Sequence, residues 1–141
     1  MKNSIICVVF LFLTTAVIYA SNAYVGLTYG YDYAPQPRLI SPAKEVVDLT
    51  GKDDLEFIWS PHEGRPVSRR YYDFRLYKGR EMLESTLIFK ERVGPHIHKL
   101  SLGSGLFEDS EVYTWSLRQV YYTSGKSLRS SCSFMVIKKS E

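Results

Sequence analysis

The chain has 141 residues, of which 45% are hydrophobic and 23% charged, a globular rather than a disordered composition. Its formal net charge of +3 is too small to indicate a nucleic-acid partner, and the sequence has no polybasic run, acidic tail or low-complexity tract. Aromatic residues make up 14% of the chain, and 11 residues are Tyr. Without an amino-terminal signal, the remaining length holds one domain of about 100 residues.

The amino terminus has the features of a secretory signal peptide. Lys2 precedes a long apolar run, and Ser21 and Ala23 are small residues at the positions that a signal peptidase reads. We therefore expect residues 1–23 to be cleaved after Ala23, and the protein to be secreted or to lie in the periplasm or cell envelope. The alternative is an uncleaved leader, the one route to a membrane that we expect, although its apolar run is shorter than the ~20 residues that span a bilayer.

Residues 24–37 are rich in Tyr, Pro and Gly, which indicates a tether. Within it, Tyr29, Tyr31 and Tyr33 alternate, so an extended strand would place their three rings on one face. This pattern has two interpretations: the segment is a disordered leader, or it is a strand that pairs with another molecule.

The two cysteines have different predicted fates. Cys7 lies in the expected signal peptide and would be removed with it. Cys132 would then be the one cysteine of the mature chain, so no intrachain disulfide is expected. We predict that Cys132 is a small core residue, rather than a reactive thiol or an intermolecular bridge.

From Arg38 onward, short runs of alternating apolar residues are separated by turn residues, which is typical of an antiparallel sandwich or barrel. Residues 81–93 allow a strand at 85–93 or a helical turn near 81–85, and Ser124–Lys126 is predicted to be a hairpin turn. No long stretch has a helical period with caps at both ends, so the predicted fold class is all-β. The side chains predicted to point inward are Leu55, Phe57 and Trp59; Tyr72, Phe74 and Leu76; Tyr113, Trp115 and Leu117; and Leu128, Cys132, Phe134 and Val136.

Two stretches resemble the fibronectin type III family. Trp59 is a lone tryptophan in an early strand, and Phe107 lies six positions before a strand tyrosine, Tyr113. The resemblance implies that the Tyr113 hydroxyl bonds to the backbone a few residues upstream. Asp109 departs from the family, because a proline is common at that position of the turn.

The resemblance covers residues 38–138 and implies a single seven-stranded antiparallel β-sandwich, with residues 139–141 as a tail. The absence of a disulfide agrees with this family and argues against an antibody-type domain. What it implies about function is a non-enzymatic binding, adhesion or spacer module, although a fold by itself does not fix a function. We accordingly expect no catalytic residue and no cofactor.

Several local patterns could carry chemistry but are incomplete. His96 and His98 would share one face of a strand, yet a zinc site needs three or four ligands. Glu108, Asp109 and Glu111 cluster in one loop that lacks the central glycine of a calcium loop. We therefore expect no metal site. A small hydrolase or lectin-like site that uses the acidic loop and His96 is one hypothesis for function, beside two others that are given below.

The predicted inward positions also define an outer face. Because side chains alternate along a strand, the neighbours of Phe74 and Trp115 should point to solvent. These are Tyr71, Asp73, Arg75 and Tyr77 on one strand; Thr114, Ser116, Arg118 and Tyr122 on a second; and Arg129, Ser131, Ser133 and Met135 on the last. Tyr and Arg are enriched at binding hot spots.

We therefore predict that this face contacts a protein or a glycan. The candidate contact residues are Tyr71, Arg75, Tyr77, Arg118 and Tyr122. A solvated face held by cross-strand pairs, such as Asp73 with Arg75 or Arg118, is the alternative interpretation. A second hypothesis for function is an envelope assembly subunit, in which the Tyr-rich segment pairs with the open sheet edge of a neighbouring copy.

Overall fold

The computed structural model of the protein describes residues 34–62, 69–122 and 125–139. The predicted signal peptide with its cleavage point, the alternating tyrosines of the tether and the first residue of the predicted hairpin turn, Ser124, lie outside these ranges. In the part of the chain that is described, no helix is long and apolar enough to cross a bilayer.

These residues form nine β-strands and two single-turn 3-10 helices, at Glu84–Thr86 and Ser104–Leu106. The strands are β1 (Leu39–Ser41), β2 (Val46–Asp48), β3 (Asp54–Trp59), β4 (Arg70–Lys78), β5 (Leu87–Val93), β6 (Lys99–Gly103), β7 (Val112–Tyr121), β8 (Gly125–Lys126) and β9 (Ser130–Ile137).

The strands form two sheets, as expected for a β-sandwich. One sheet has the order β1-β3-β6, and the other has the order β2-β9-β7-β4-β5, with β8 pairing to the end of β7. The predicted all-β class is confirmed. The pairing is antiparallel throughout, except that β2 runs parallel to β9, which the sequence did not indicate.

The described residues contain nine strands rather than the predicted seven. β1 pairs with β3, whereas β2, which follows the cis peptide bond between Ser41 and Pro42, joins the other sheet. β8 lies within the predicted hairpin turn, and an interruption separates it from β9, where the Gln119 amide donates to the Ser127 hydroxyl at 2.9 Å. This interruption changes the alternation, so Leu128 is 77% exposed, and its predicted core position is wrong.

The core is a cluster of aromatic rings centred on Phe57 of β3. Its ring centroid lies 5.2 Å from Phe74 of β4, 5.2 Å from Trp115 of β7 and 5.9 Å from Phe134 of β9. Trp59, also on β3, packs edge-on against a further β4 ring. Trp59, Phe74, Trp115 and Phe134 are each at most 2% exposed, so their predicted inward orientation is confirmed.

Residues 81–93 combine the two structures that the sequence left open. A single 3-10 turn at Glu84–Thr86 leads directly into β5. The Thr86 hydroxyl donates to the Glu81 carbonyl at 2.8 Å and accepts from the Leu83 amide at 3.2 Å, which stabilises the turn. The strand starts at Leu87, two residues later than predicted.

Cys132 packs against the core but is only partly buried. Its Sγ accepts a hydrogen bond from the Lys44 amide at 3.1 Å. The prediction that Cys132 packs in the core is therefore correct in part. One side of the residue contacts the core, and the other lies next to the connection between β1 and β2.

The turn before β7 has the geometry that the resemblance implies. The Glu108 amide donates to the Tyr113 hydroxyl at 2.7 Å, and the Phe107 ring packs edge-on against Tyr113 at 5.1 Å. Asp109, which stands in place of the usual proline, accepts a hydrogen bond from the Lys138 amide at 2.6 Å. The turn is thus fixed to the end of β9 as well as to β7.

We predict that Tyr113→Phe lowers the free energy of unfolding by about 1–2 kcal/mol, because the Glu108 amide loses its partner in a partly buried turn. Urea denaturation followed by tryptophan fluorescence measures this change. Tyr122→Phe is the matched control, since that ring is 62% exposed, and it should stay within about 0.5 kcal/mol. Equal stability of the two variants would contradict a structural role for the Tyr113 hydroxyl.

Candidate binding face

The pairing of β4 with its two neighbours places charged residues side by side on the outer face of the larger sheet. Asp73 of β4 lies opposite Arg118 of β7 and Arg92 of β5. Arg75, two residues further along β4, lies opposite Lys90 of β5. Directly paired residues share a face, so these five side chains form one continuous charged surface.

Asp73 is the centre of this surface, since three arginines bond to its carboxylate. Arg129 Nη2 donates to Asp73 Oδ2 at 2.6 Å, and Arg118 Nε donates to the same oxygen at 2.9 Å. Arg75 Nε donates to Oδ1 at 3.3 Å. Arg129 also reaches the Ser116 hydroxyl at 3.1 Å and the Asp73 carbonyl at 3.2 Å. One negative charge therefore orients three guanidinium groups.

The charges of this cluster change the pKa values of its members. Burial disfavours the charged form of Asp73, but the guanidinium groups of Arg129, Arg75 and Arg118 outweigh burial and lower the pKa of the carboxyl. Burial lowers the pKa of Arg129, and repulsion by the other two arginines adds to this effect despite the attraction of Asp73. Asp73 is bonded to all three cations, and Glu84 lies 3.9 Å from Arg75, so three cations face two carboxylates and the cluster keeps an excess of positive charge.

Asp73, Arg75 and Arg118 of this cluster line an open groove of about 390 Å³. Among the described residues, no acidic side chain forms an ion pair with Lys90, Arg92 or Lys126. These three cations therefore add to the excess positive charge. The groove is lined by Tyr71, Asp73, Arg75, Lys90, Glu91, Arg92, Arg118 and Lys126.

Two tyrosines border the groove at one end. The rings of Tyr71 and Tyr122 lie 5.4 Å apart at an angle of 54°. The Arg92 guanidinium lies over the Tyr71 ring, 5.0 Å from its centroid, which is cation–π geometry. Tyr122 is largely exposed and Tyr71 is half-buried, so the pair presents aromatic surface next to positive charge.

Four of the five candidate contact residues therefore lie together on the outer face, but Tyr77 does not offer a surface. Tyr77 is only 3% exposed, and Thr114 is also buried, contrary to the predicted outward exposure. The connection from β4 to β5 covers this end: Thr114 Oγ1 donates to the Gly79 carbonyl at 2.7 Å, and Glu84 lies 3.9 Å from Arg75. Arg80 and Met82 of this connection line a groove together with Thr114.

Ser116 is also buried, contrary to its predicted exposure to solvent. It faces outward as its position in β7 predicts, but it is 0% exposed because the Arg129 side chain lies over it and donates to its hydroxyl. The sequence correctly predicts on which side of the sheet these residues lie. It does not predict that a long side chain from the interruption before β9 covers one of them.

The other candidate sites do not assemble into a metal-binding cluster. Within residues 34–62, 69–122 and 125–139, no three His, Cys, Asp or Glu side chains come together. Glu108 pairs with Lys78 Nζ at 2.6 Å, and Asp109 is engaged with the Lys138 amide, so the acidic loop makes structural contacts. That hydrogen bond, together with one from Ser110, lowers the pKa of Asp109.

The contribution of β5 to the face was not predicted from the sequence. Lys90 and Arg92 have the same parity and lie on an exposed strand, so their alternation could have indicated a charged surface. The ambiguity between strand and turn at residues 81–93 hid this signal. Lys126 was missed because it belongs to a two-residue strand that only the pairing with β7 reveals.

We predict that Asp73→Asn lowers the free energy of unfolding by about 2 kcal/mol at pH 7, because three clustered cations lose their common counter-charge. Because the pKa of Asp73 is lower in the folded than in the unfolded state, its charge stabilises the fold at pH values above the unfolded-state pKa. This contribution disappears as the pH falls through the folded-state pKa. The difference in melting temperature between wild type and variant, about 10 °C at pH 7, should therefore shrink below about pH 4.

Asp54→Asn, on an exposed position of β3, is the control and should leave the melting temperature nearly unchanged at every pH. A difference between wild type and Asp73→Asn that persists undiminished down to pH 2 would mean that Asp73 acts through packing and not through its charge.

No protein-family model and no curated protein matches the sequence. Among solved structures, the fibronectin(III)-like modules of CbhA from Clostridium thermocellum are similar, with a TM-score of 0.48 and 14% identity over 74% of this chain and 99% of that chain. The strand pairing and the Tyr113 corner give the described residues the fibronectin type III-like β-sandwich that the sequence predicts.

Proposed function

We propose that the protein is an exported, non-enzymatic binding or adhesion module of the cell envelope or exterior. It contacts a protein or a glycan through the outer face of the larger sheet. The contact surface is the groove around Asp73 together with the tyrosine pair, Tyr71 and Tyr122. Export rests on the secretory features of residues 1–23.

The observation that carries the proposal is the set of three guanidinium groups held by Asp73. Bonds to one carboxylate fix the directions of Arg75, Arg118 and Arg129 before a partner arrives, so less side-chain entropy is lost on binding. A guanidinium presents several N–H donors, and its planar shape matches carboxylate, sulfate or phosphate groups.

The same chemistry favours binding over catalysis. An arginine remains protonated near neutral pH, so it orients an anion but does not transfer protons to or from it. The tyrosine pair offers large rings with polar ends, and such residues contribute strongly to protein and glycan contacts. The face is therefore suited to hold a partner without changing it chemically.

We predict that the double variant Tyr71→Ser, Tyr122→Ser binds its partner at least about tenfold more weakly, because hot-spot tyrosines supply much of an interface's energy. The immobilised domain would be tested against purified envelope proteins and a glycan array, with surface plasmon resonance to measure affinity. Its melting temperature should change little, since neither ring belongs to the core cluster.

Two further variants separate binding from folding. Ile97→Ser with Leu106→Ser alters exposed apolar residues outside the larger sheet and should leave the affinity unchanged. Tyr77→Ser removes a buried ring and should lower the free energy of unfolding by about 3 kcal/mol. If the Tyr71, Tyr122 variant bound as tightly as the control pair, the outer face would not be the contact surface.

The alternative function, an assembly subunit, is favoured by the position of β5. It is the last strand of the larger sheet, and no described strand pairs with its outer edge. A Tyr-rich strand from a neighbouring copy could add there through main-chain hydrogen bonds.

We predict for this alternative that deletion of residues 24–33 converts oligomers of the mature chain to monomers. The deletion keeps Ala34, which is buried in the described domain. Light scattering after size-exclusion chromatography measures the mass of both forms, and a variant in which the three alternating tyrosines become Ser tests the rings alone. Identical masses for the full and truncated chains would exclude assembly through this segment.

A further inference from the structure

The outer edge of β5 has both the backbone groups and the charge to receive another polypeptide. Alternate N–H and C=O groups of the regularly paired residues 89–93 point away from β4, and no strand of the described chain covers them. With seven residues, β5 is longer than the mean strand and offers several main-chain hydrogen bonds to an added strand.

Two outward side chains of β5 form a short row. Lys90 and Arg92 have the same parity and are both exposed. The row ends before Ile88, because the register between β4 and β5 shifts between Phe89 and Leu87. Positions two residues apart in a strand are separated by about 6.7 Å, and an added strand has the same spacing. An acidic residue opposite Lys90 and another opposite Arg92 would therefore be separated by one residue in the added strand.

The charge surrounding this row is positive on the side toward β4. Lys90 lies opposite Arg75, and Arg92 lies opposite Asp73, whose charge is already shared by three arginines. Neither Lys90 nor Arg92 has an acidic partner among the described side chains. Carboxylates placed there would meet cations directly across a strand pair, where opposite charges are stabilising.

We infer that the β5 edge binds an extended acidic segment of another protein, which adds as a strand and places two carboxylates against Lys90 and Arg92. The inference rests on the proposed binding function and names the class of partner. In either strand orientation the preferred order is acidic, any, acidic.

A peptide fits this edge better than the other occupants. A glycan has no regular series of N–H and C=O groups to pair with an edge strand, although its carboxylates could meet the same cations. The Tyr-rich residues 24–33 of this chain contain a single acidic residue, Asp32, and so do not provide two carboxylates at the required spacing.

The experiment is fluorescence anisotropy with a labelled synthetic peptide of alternating Glu and Thr. Two N-methylated versions, each modified at one of the two sets of alternate residues, test the backbone. Only one set points its amides at β5, so only one version should lose binding. Oligogalacturonate, which carries carboxylates on a sugar backbone, tests the glycan.

The variant Lys90→Glu, Arg92→Glu should bind the peptide at least about tenfold more weakly. Lys52→Glu with Lys139→Glu reverses two exposed charges elsewhere and should stay within about twofold of wild type. Melting curves confirm that both double variants fold, which is expected because all four side chains are exposed.

Three results with the peptide would overturn the inference, and a fourth concerns the glycan. The first three are no binding of the unmodified peptide, equal binding of both N-methylated peptides, and equal affinity of the two charge-reversed variants. Oligogalacturonate binding as tightly as the peptide would also overturn it, in favour of a glycan. The proposed function would survive any of these outcomes if the Tyr71, Tyr122 variant still weakened binding of a partner, and it would fail if that effect were absent.

Discussion

The ring of Phe57 lies between the two sheets and contacts Phe74, Trp115 and Phe134, one ring from each of β4, β7 and β9. Because Phe57 projects from the smaller sheet, these contacts hold the two sheets together. Side chains alternate along a strand, so fixing Phe74 and Trp115 against Phe57 turns every second residue of β4 and β7 outward. A slip of one residue would bury Asp73 among the rings, so core packing also determines the position of the charged face.

In the charged face, three arginine side chains are held in place by Asp73 although they repel one another. Arg75, Arg118 and Arg129 reach Asp73 from the same strand, from the neighbouring strand and from the interruption before β9. One carboxylate can orient three cations, but it cannot neutralise them. Bringing like charges together costs free energy in the unbound protein, and an anionic partner removes part of that cost on binding. The arrangement therefore favours affinity for anions over maximal stability of the free domain.

Alternation in the sequence predicted the core because it reports a strand's two sides directly. It correctly oriented Trp59 and Phe134, and it oriented Tyr71 and Arg118 toward the outer face. It failed for Tyr77, because parity says nothing about which loop covers a side chain, and the connection from β4 to β5 covers this end of the face. The interruption before β9 and the pairing of β1 and β2 with different sheets likewise depend on contacts between distant residues, which no local pattern contains.

The pairing of the strands also places β5 at the edge of the larger sheet. At an edge, the exposed cations of β5 affect which strands can pair with it. Unpaired edges tend to join one another, and natural proteins prevent this with charged side chains. A second copy of β5 would bring Lys90 and Arg92 against the same two cations, and like charges across a strand pair repel. An acidic strand that pairs with the same backbone groups would instead be attracted by these two cations. The residues that exclude self-pairing would therefore also select the partner, since specificity requires repulsion of the wrong strand as well as attraction of the right one.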